Sequence, residues 1–442
     1  MDIMKFLEEK LIPVGERLGR QRHLLAVRDG VVATIPLVII GGLDLIVANP
    51  PIDLETVDKS NAWLKPFILW ASWAKDNADA ILTPFNMTMG LMAVFCAFAV
   101  AYSLAKSYKL DGFSSAIISA VTFLMVAGNA VPAVLVKNLG KGGDPVSVLP
   151  TDFFTSQGMF TALLVGIFTV EISRFFTKHG MVIRMPEGVP SAVADSFASL
   201  IPMFANILIF FLFSLLVTSI SGMTFPEAVM KALAPAIGGI NSLGGTLLLI
   251  LICQLFWLIG IHGANLIYSI YAPVALATLA ANAANKTAGM PMTEIFTDPW
   301  WSYFVFFTGS GCTIVLVLMY MRSRSKQLKA LGKLSFLPAI FNINEPVLFG
   351  TPIVLNPVMG IPFIVVPLLN ATIAYCCMNW NVVGKMFIET PWTTPAPIGA
   401  ALSAMDVRAG VLVLALMVID YVIYYPFFKS YEKMLLKNED AE

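Results

Sequence analysis

No charged side chain interrupts the stretch "SFASLIPMFANILIFFLFSLLVTSISGMTFP", which covers residues 196–226. About 20 consecutive apolar residues are enough for an α-helix to cross a lipid bilayer. Between Lys231 and Lys286 the sequence again contains no Asp, Glu, Lys or Arg, and His262 is its only histidine. We therefore predict that each of these two stretches holds at least one transmembrane helix.

The composition of the whole chain supports the same interpretation. Hydrophobic residues make up 57% of the sequence, charged residues 13%, and the mean hydropathy is +0.79. Soluble domains carry roughly a quarter charged residues. The 28 basic and 28 acidic side chains cancel, so no basic surface for nucleic acid is expected. The sequence predicts an all-α polytopic membrane protein.

Apolar segments separated by charged loops predict about ten transmembrane helices. They lie near residues 29–47, 85–105, 113–136, 159–176, 196–219, 244–261, 263–284, 300–321, 357–378 and 409–428. Basic loops of membrane proteins stay in the cytoplasm. If the chain crosses the membrane ten times, all of its basic clusters lie on the same side; they are around Arg17–Arg28, Lys106, Lys178, Arg322 and Lys433. We therefore expect a multi-pass protein of the cytoplasmic membrane with both termini in the cytoplasm.

The first 28 residues have a different pattern. Apolar residues recur there at helical spacing among charges, at Ile3, Leu7, Leu11, Val14 and Leu18. This pattern is typical of a helix lying in the membrane interface, and equally of a soluble helix packed on a surface. The segment has no apolar core before a cleavage site, so we do not expect a signal peptide. We predict four parts of the chain: an amphipathic N-terminal segment (1–28), an N-terminal membrane domain (29–221), an amphipathic connecting segment (222–243) and a C-terminal substrate-transport domain (244–442).

Three apolar segments are broken by proline and glycine, at residues 225–241, 336–350 and 387–405. Non-helical backbone at membrane depth persists only where protein or a cavity satisfies it. These segments are therefore predicted to form re-entrant hairpins or helices lying on the membrane surface. The last two are candidates for a binding site.

Two ionisable residues stand out in these regions. His262 lies in the long uncharged stretch, and Glu345 lies between Asn344 and Pro346 in "FNINEPVLFGTP". An ionisable group inside a membrane costs about 2.5–3.5 kcal/mol on insertion scales, so it usually serves a function. The alternatives are that His262 only ties two helices together and that Glu345 belongs to a surface loop.

Aromatic residues near these groups could bind a sugar, because a sugar ring offers apolar faces and a rim of hydroxyls. Trp257 and Trp392 are the candidates, whereas Trp300 and Trp301 are interpreted as residues of an interfacial aromatic belt. The five cysteines form no CxxC pair and are expected to be buried, with no metal site and no cofactor. The glycines of "TGSGCT" (residues 308–313) predict close helix packing rather than a phosphate loop.

Three fragments in a fixed order carry a specific resemblance. They are "GIHGAN" (260–265), "FNINEPVLFGTPIVLNPVMGIPF" (341–363) and "PWTTPAPIGA" (391–400), joined by "AVRDG" (26–30) and "MPEGVPSAVADSFASLIP" (185–202). Together they resemble the membrane-spanning IIC component of the bacterial phosphoenolpyruvate-dependent phosphotransferase system, in the lactose/cellobiose/diacetylchitobiose family. The resemblance extends over nearly the whole chain.

The resemblance implies a sugar permease that works as a homodimer, with dimer contacts in the N-terminal domain and elevator-like movement of the sugar by the C-terminal domain. It implies that Glu345 and His262 engage the sugar hydroxyl to be phosphorylated, with Asn344, Trp257 and Trp392 nearby. The phosphoryl group would come from a separate phosphorylated IIB protein in the cytoplasm, since no IIB domain is recognised up to Glu442.

The implied substrate is a β-linked disaccharide of the cellobiose, diacetylchitobiose or lactose type. Whether the chain itself counts as an enzyme stays open, because it would not carry the phosphoryl group. An ion-coupled secondary transporter that uses Glu345 as its proton carrier is the alternative. A membrane enzyme acting on lipid-linked sugar would need more catalytic polar residues than the sequence offers.

Overall fold

The chain is almost entirely α-helical in the computed structural model, as the composition predicts. The structure describes residues 13, 17, 20–50, 54, 57, 61–128, 131–133, 146–186, 188–351, 353 and 356–439. One small antiparallel sheet pairs β1 (Val131–Ala133) with β2 (Val146–Val148). Most of the predicted amphipathic segment 1–28 lies outside the described residues, so its interfacial helix stays a prediction.

The helices up to the middle of the chain differ widely in length. In chain order they are α1 (Arg22–Ala48), α2 (Lys65–Asp76), α3 (Ala78–Ile81), α4 (Thr83–Thr88), α5 (Met92–Ser107), α6 (Gly112–Ala127), α7 (Met159–Lys178), α8 (Ser191–Ala198), α9 (Leu200–Ser221) and α10 (Phe225–Asn241). Short 3₁₀ turns lie at Ala62–Leu64, Met89–Leu91, Asp152–Phe154 and Ser156–Gly158.

The remaining helices include several short ones. They are α11 (Leu243–Leu258), α12 (Gly263–Thr287), α13 (Asp298–Trp300), α14 (Ile314–Met321), α15 (Lys326–Ile340), α16 (Glu345–Gly350), α17 (Pro357–Asn379), α18 (Ala396–Ala404) and α19 (Val407–Glu439). A π-helical turn, Trp301–Val305, follows α13. Side chains cap several starts: Ser242 accepts from Gly245, and Asn356 accepts from Val358 and Met359.

Seven helices in the described part of the chain are long and apolar enough to cross a membrane, or up to eight if the bent pair α10–α11 forms one span. This count is lower than the predicted number of about ten, because it includes only long, unbroken apolar helices among the described residues. The predicted span near residues 113–136 contains only the 16 residues of α6. The predicted span near residues 300–321 is broken between the π-helical turn and α14, where Gly309 and Gly311 adopt positive φ.

The three segments predicted to be irregular differ from one another. Residues 225–241 form the continuous helix α10, which is bent by 69° against α11. In contrast, residues 336–350 break at Phe341–Asn344 between α15 and α16. Residues 387–405 begin as non-helical chain and become helical only at Ala396. The two segments proposed for binding thus contain the non-helical backbone.

The described residues form two compact units. The first consists of Gln21–Gly41 and Thr83–Ala236, and the second contains Gly42–Leu82 and Ile237–Glu442. In this division the described residues between 42 and 82 belong with the C-terminal half, and the sequence-based domain boundaries stay a prediction. The functional roles predicted for the N-terminal and C-terminal domains stay predictions.

Small residues bring the helices of the first unit together. A Cβ added to Gly30 of α1 would overlap Val100 of α5, and one added to Gly166 of α7 would lie 3.1 Å from Val100. Ser119 of α6 donates a hydrogen bond of 2.9 Å to the carbonyl oxygen of Ala97. Such close backbone approach is how helices associate where hydrophobic burial alone gives little preference.

In the second unit, α11 and α19 both pack on α17. Gln254 of α11 donates to the carbonyl oxygen of Phe363 in α17 at 3.1 Å. Tyr424 of α19 donates to the carbonyl oxygen of Gly311 at 2.6 Å. The first of these buried hydrogen bonds joins α11 to α17, and the second attaches the irregular stretch before α14 to α19.

Candidate functional site

His262 occupies the break between α11 and α12. The chain turns through Gly260, whose φ is +81°, and the Nδ1 atom of His262 then accepts a hydrogen bond of 3.2 Å from the backbone N–H of Asn265. His262 therefore caps α12 with Nδ1, which leaves Nε2 free for a ligand. A Cβ on Gly263 would overlap the carbonyl oxygen of Cys253, so only glycine allows this approach of the two helices.

Trp257 lies against this histidine. The centres of the two rings are 4.3 Å apart with planes inclined at 45°. Trp257 is only 4% exposed, and its Nε1–H finds no acceptor among the described residues. The structure thus joins two of the residues predicted to bind sugar and leaves a donor that the protein does not use.

Glu345 begins α16, and Pro346 follows at a position where a missing backbone N–H costs nothing. The Glu345 side chain is exposed and makes no hydrogen bond or ion pair within the part of the chain that the structure describes. Its charge nevertheless interacts with the His262 ring through space, without a direct hydrogen bond or ion pair between the two described side chains. An unpaired carboxylate beside a histidine can accept a hydrogen bond from a bound hydroxyl.

Asn344 has a different environment from its neighbour. It is 4% exposed, and its Nδ2 donates to the carbonyl oxygen of Ser310 at 2.6 Å and to Oγ1 of Thr313 at 3.1 Å. A Cβ on Gly309 would overlap the Asn344 side chain. These contacts fix the backbone that presents Glu345, and the role of Asn344 in binding stays a prediction.

Asn342 is a residue that the sequence reasoning did not select. Its Oδ1 accepts from the backbone N–H of Thr308 at 2.7 Å, and its Nδ2 donates to the carbonyl oxygens of Trp392 at 2.5 Å and Thr394 at 2.8 Å. One buried side chain therefore holds together the irregular stretches before α14, α16 and α18. The sequence feature that could have pointed to Asn342 is an asparagine within a predicted chain break. Asparagine tolerates positive φ, and the φ of Asn342 is +65°.

Trp392 projects from the segment that Asn342 holds. Its side chain is 55% exposed, so its ring can serve as a platform for a ligand. Behind it, Tyr303 Oη hydrogen-bonds Thr390 Oγ1 at 2.7 Å and the carbonyl oxygen of Pro391 at 2.8 Å. Thr390 Oγ1 also lies 3.0 Å from Ser403 Oγ. This buried polar layer fixes the position of Trp392.

The two tryptophans assigned to an interfacial belt are buried instead, which corrects that prediction. Trp300 is 0% and Trp301 is 3% exposed, and the Trp301 ring stacks on Tyr271 at 4.2 Å. Trp300 ends α13 and Trp301 begins the π-helical turn, and both side chains lie inside the second unit. The same region contains two buried carboxyl groups that the sequence did not single out, Asp298 and Glu389, which interact electrostatically.

The glycines of "TGSGCT" support close packing, but in a turn rather than a helix. Gly309 and Gly311 have φ of +91° and +83°, and Cβ atoms there would overlap Asn344 and Phe363.

All five cysteines are free. Cys96, Cys253 and Cys312 are buried, whereas Cys376 and Cys377 are only partly so.

The order of these residues in the chain agrees with one known family. Residues 28–367 match the family described as "Phosphotransferase system, EIIC". The match includes the His262 turn and the whole of "FNINEP". This chain belongs to the phosphotransferase-system EIIC family.

Individual EIIC proteins match over almost their whole length. The Lichenan permease IIC component of Bacillus subtilis (strain 168) is 36% identical, with 99% of this chain and 95% of that protein covered. The PTS system cellobiose-specific EIIC component of Geobacillus stearothermophilus is 35% identical, with coverage of 99% and 96%. The chain is therefore a multi-pass membrane-embedded EIIC component.

A solved EIIC structure has the same fold. The crystal structure of ChbC, the IIC component from the N,N'-diacetylchitobiose-specific phosphotransferase system, matches with a TM-score of 0.89 and 34% sequence identity. The match covers 99% of this chain and 100% of ChbC. The fold class predicted from sequence and the family resemblance are both confirmed.

Proposed function

We propose that this EIIC protein binds a β-linked disaccharide and presents its 6-hydroxyl to a separate phosphorylated IIB protein. The observation that carries the proposal is the exposed carboxylate of Glu345, which has no partner among the described residues and lies in the chain break that Asn342 and Asn344 hold. The names of the lichenan, cellobiose and diacetylchitobiose relatives support the substrate class. They differ among themselves, so the proposal does not select one disaccharide.

In the proposed complex, the sugar hydroxyl donates a hydrogen bond to the Glu345 carboxylate while His262 Nε2 lies on its other side. Trp257 and Trp392 contact the apolar faces of the rings, and the free Nε1–H of Trp257 is available to a sugar oxygen. The carboxylate orients the hydroxyl and can accept its proton as the phosphoryl group is transferred from a IIB cysteine. The phosphorylated sugar is an anion that cannot easily return, so uptake is irreversible.

Several further features belong to the same proposal. The sugar moves by an elevator-like displacement of the substrate-binding part, the protein works as a homodimer, and both termini are cytoplasmic. The division into two compact units supports the elevator-like displacement, the positions of the basic loops support cytoplasmic termini, and the homodimer rests on the family resemblance.

Glu345→Gln provides the test. We expect phosphorylation-coupled uptake to fall by at least about 100-fold, because the amide keeps the shape but cannot take a proton. Binding of cellobiose or diacetylchitobiose, measured by calorimetry on purified protein, should change less than about tenfold. Asp76→Asn is the matched control, because Asp76 is also an exposed carboxylate of the second unit. Normal coupled uptake by Glu345→Gln would contradict the assigned role.

The ion-coupled alternative predicts a different result. Vesicles containing only this protein would then accumulate sugar when a proton gradient is imposed, with no phosphoryl donor present. We expect no such accumulation. Gradient-driven uptake that Glu345→Gln abolishes would replace the phosphotransferase proposal.

A further inference from the structure

The first unit contains a groove that the proposed sugar site does not use. It has a volume of about 760 Å³ and runs between α1 and α5. Both helices belong to segments that are long and apolar enough to cross a membrane, so the groove extends along membrane-spanning structure. All of the residues that line it belong to the same compact unit.

The groove has a polar end and an apolar body. At one end, Arg22 lies at the start of α1, and Lys106 and Ser107 lie at the end of α5. Further along, the walls are formed by Pro36 and Leu37 of α1 with Phe95 and Phe98 of α5. This arrangement matches a molecule with an anionic head and a long apolar tail.

The two cations at the polar end are available to an anion. Neither Arg22 nor Lys106 forms an ion pair with any described carboxylate. Their charged groups instead lie over aromatic rings, Arg22 at 5.1 Å from the Tyr108 ring and Lys106 at 5.6 Å from the Tyr102 ring. Such contacts hold a cation in place and leave its N–H groups free for a phosphate.

One carboxylate also lines the groove, but a neighbouring charge compensates it. Oδ1 of Asp29 accepts from Arg28 Nε at 2.9 Å and from Nη2 at 2.7 Å. Its Oδ2 accepts from Ser103 Oγ at 3.3 Å. Among the charged residues that line the groove, Arg22 and Lys106 therefore outweigh Asp29; Asp111, which also interacts with Lys106, does not line it.

We propose that this groove is a binding site for an anionic phospholipid. Its phosphate lies between Arg22 and Lys106, and an acyl chain lies along Leu37, Phe95 and Phe98. The basic end is on the side predicted to be cytoplasmic, where anionic headgroups attract basic residues near a membrane helix. A zwitterionic lipid fills the apolar body equally well but gains much less at the basic end.

The full-length protein in nanodiscs tests the proposal. Lipids retained after detergent extraction are counted by native mass spectrometry from discs of phosphatidylcholine with increasing phosphatidylglycerol. We expect selective retention of phosphatidylglycerol, with affinity about five-fold weaker for each cation lost in Arg22→Gln and Lys106→Gln. Lys178→Gln is the matched control, because Lys178 is a basic residue at the end of α7 outside the groove.

A second variant tests the apolar body without changing charge. Ala33→Phe places a ring inside the groove, which Ala33 lines, and should reduce retention of both lipids. It also keeps the proposal testable if the charge variants fail to fold. Equal retention of the two lipids by wild type would overturn the proposal, as would unchanged phosphatidylglycerol affinity in the Arg22→Gln/Lys106→Gln double variant. If the Ala33→Cys variant retains no lipid and its introduced cysteines cross-link two copies of the chain, the groove is instead an interface with a second copy.

Discussion

At the scale of single residues, neighbouring side chains of the proposed site have different roles: one is exposed and the next is buried and hydrogen-bonded. Glu345 is exposed and unpaired among the described residues, whereas Asn344 is buried and bonded. No sequence pattern indicates the long-range hydrogen bonds of Asn342, yet these bonds connect the irregular stretches before α14, α16 and α18. The proposed site therefore depends on the residues that position its backbone as well as on those proposed to contact the sugar.

Asn342→Ala should separate the segments that carry Glu345 and Trp392. Each buried partner left without its hydrogen bond costs about 1–3 kcal/mol. We expect a lower melting temperature and loss of disaccharide binding, both measured on purified protein.

Asn381→Ala is the matched control for backbone strain in that experiment. Asn381 also has positive φ, +57°, but it is exposed and lies outside the site. If both variants lose binding equally, the Asn342 side-chain bonds are not the cause. If Asn342→Ala binds normally, the bridging role is wrong.

At the scale of elements, the break between α11 and α12 positions His262. The two helices approach so closely at Gly263 that a side chain there would overlap the Cys253 carbonyl. The sequence motif "GIHGAN" therefore combines a turn glycine, a capping histidine and a packing glycine in succession. A continuous helix through this stretch could not present the His262 ring in the same way.

Gly263→Ala should displace the start of α12 together with His262. We expect disaccharide binding to weaken by at least about tenfold, equivalent to 1.4 kcal/mol, with a lower melting temperature. Gly244→Ala in α11 is the control, because a Cβ there meets nothing within 4 Å. Retention of full affinity by Gly263→Ala would show that the approach of the helices does not position the histidine.

At the scale of the whole molecule, the membrane topology is the main prediction. Seven or eight described helices can cross a membrane, compared with about ten predicted. The difference comes from the short helix α6, the bent pair α10–α11 and the chain break before α14. The number of helices alone therefore does not give the side of the membrane on which each loop lies, and labelling experiments are needed to measure it.

Single cysteines introduced at Lys433 and Asp76 should report that sidedness. After replacement of the partly buried Cys376 and Cys377, we expect a membrane-impermeant maleimide to label Lys433→Cys only in inside-out vesicles. Asp76→Cys should be labelled only in right-side-out vesicles, because it lies between the first two predicted spans, 29–47 and 85–105, and a cytoplasmic N-terminus puts that connection outside. Labelling of both positions from one side would contradict the predicted topology.

The sequence by itself determined the membrane class, the all-helical fold and the family, because uncharged length and ordered motifs are properties of the chain alone. It also selected His262 and Glu345, because a charge costs more in a membrane than in water. Only the tertiary structure decided that Asn342 bridges residues 34 and 50 positions away. It likewise decided that Trp300 and Trp301 are buried. Local patterns encode periodicity and solvation, whereas these contacts depend on how distant segments pack.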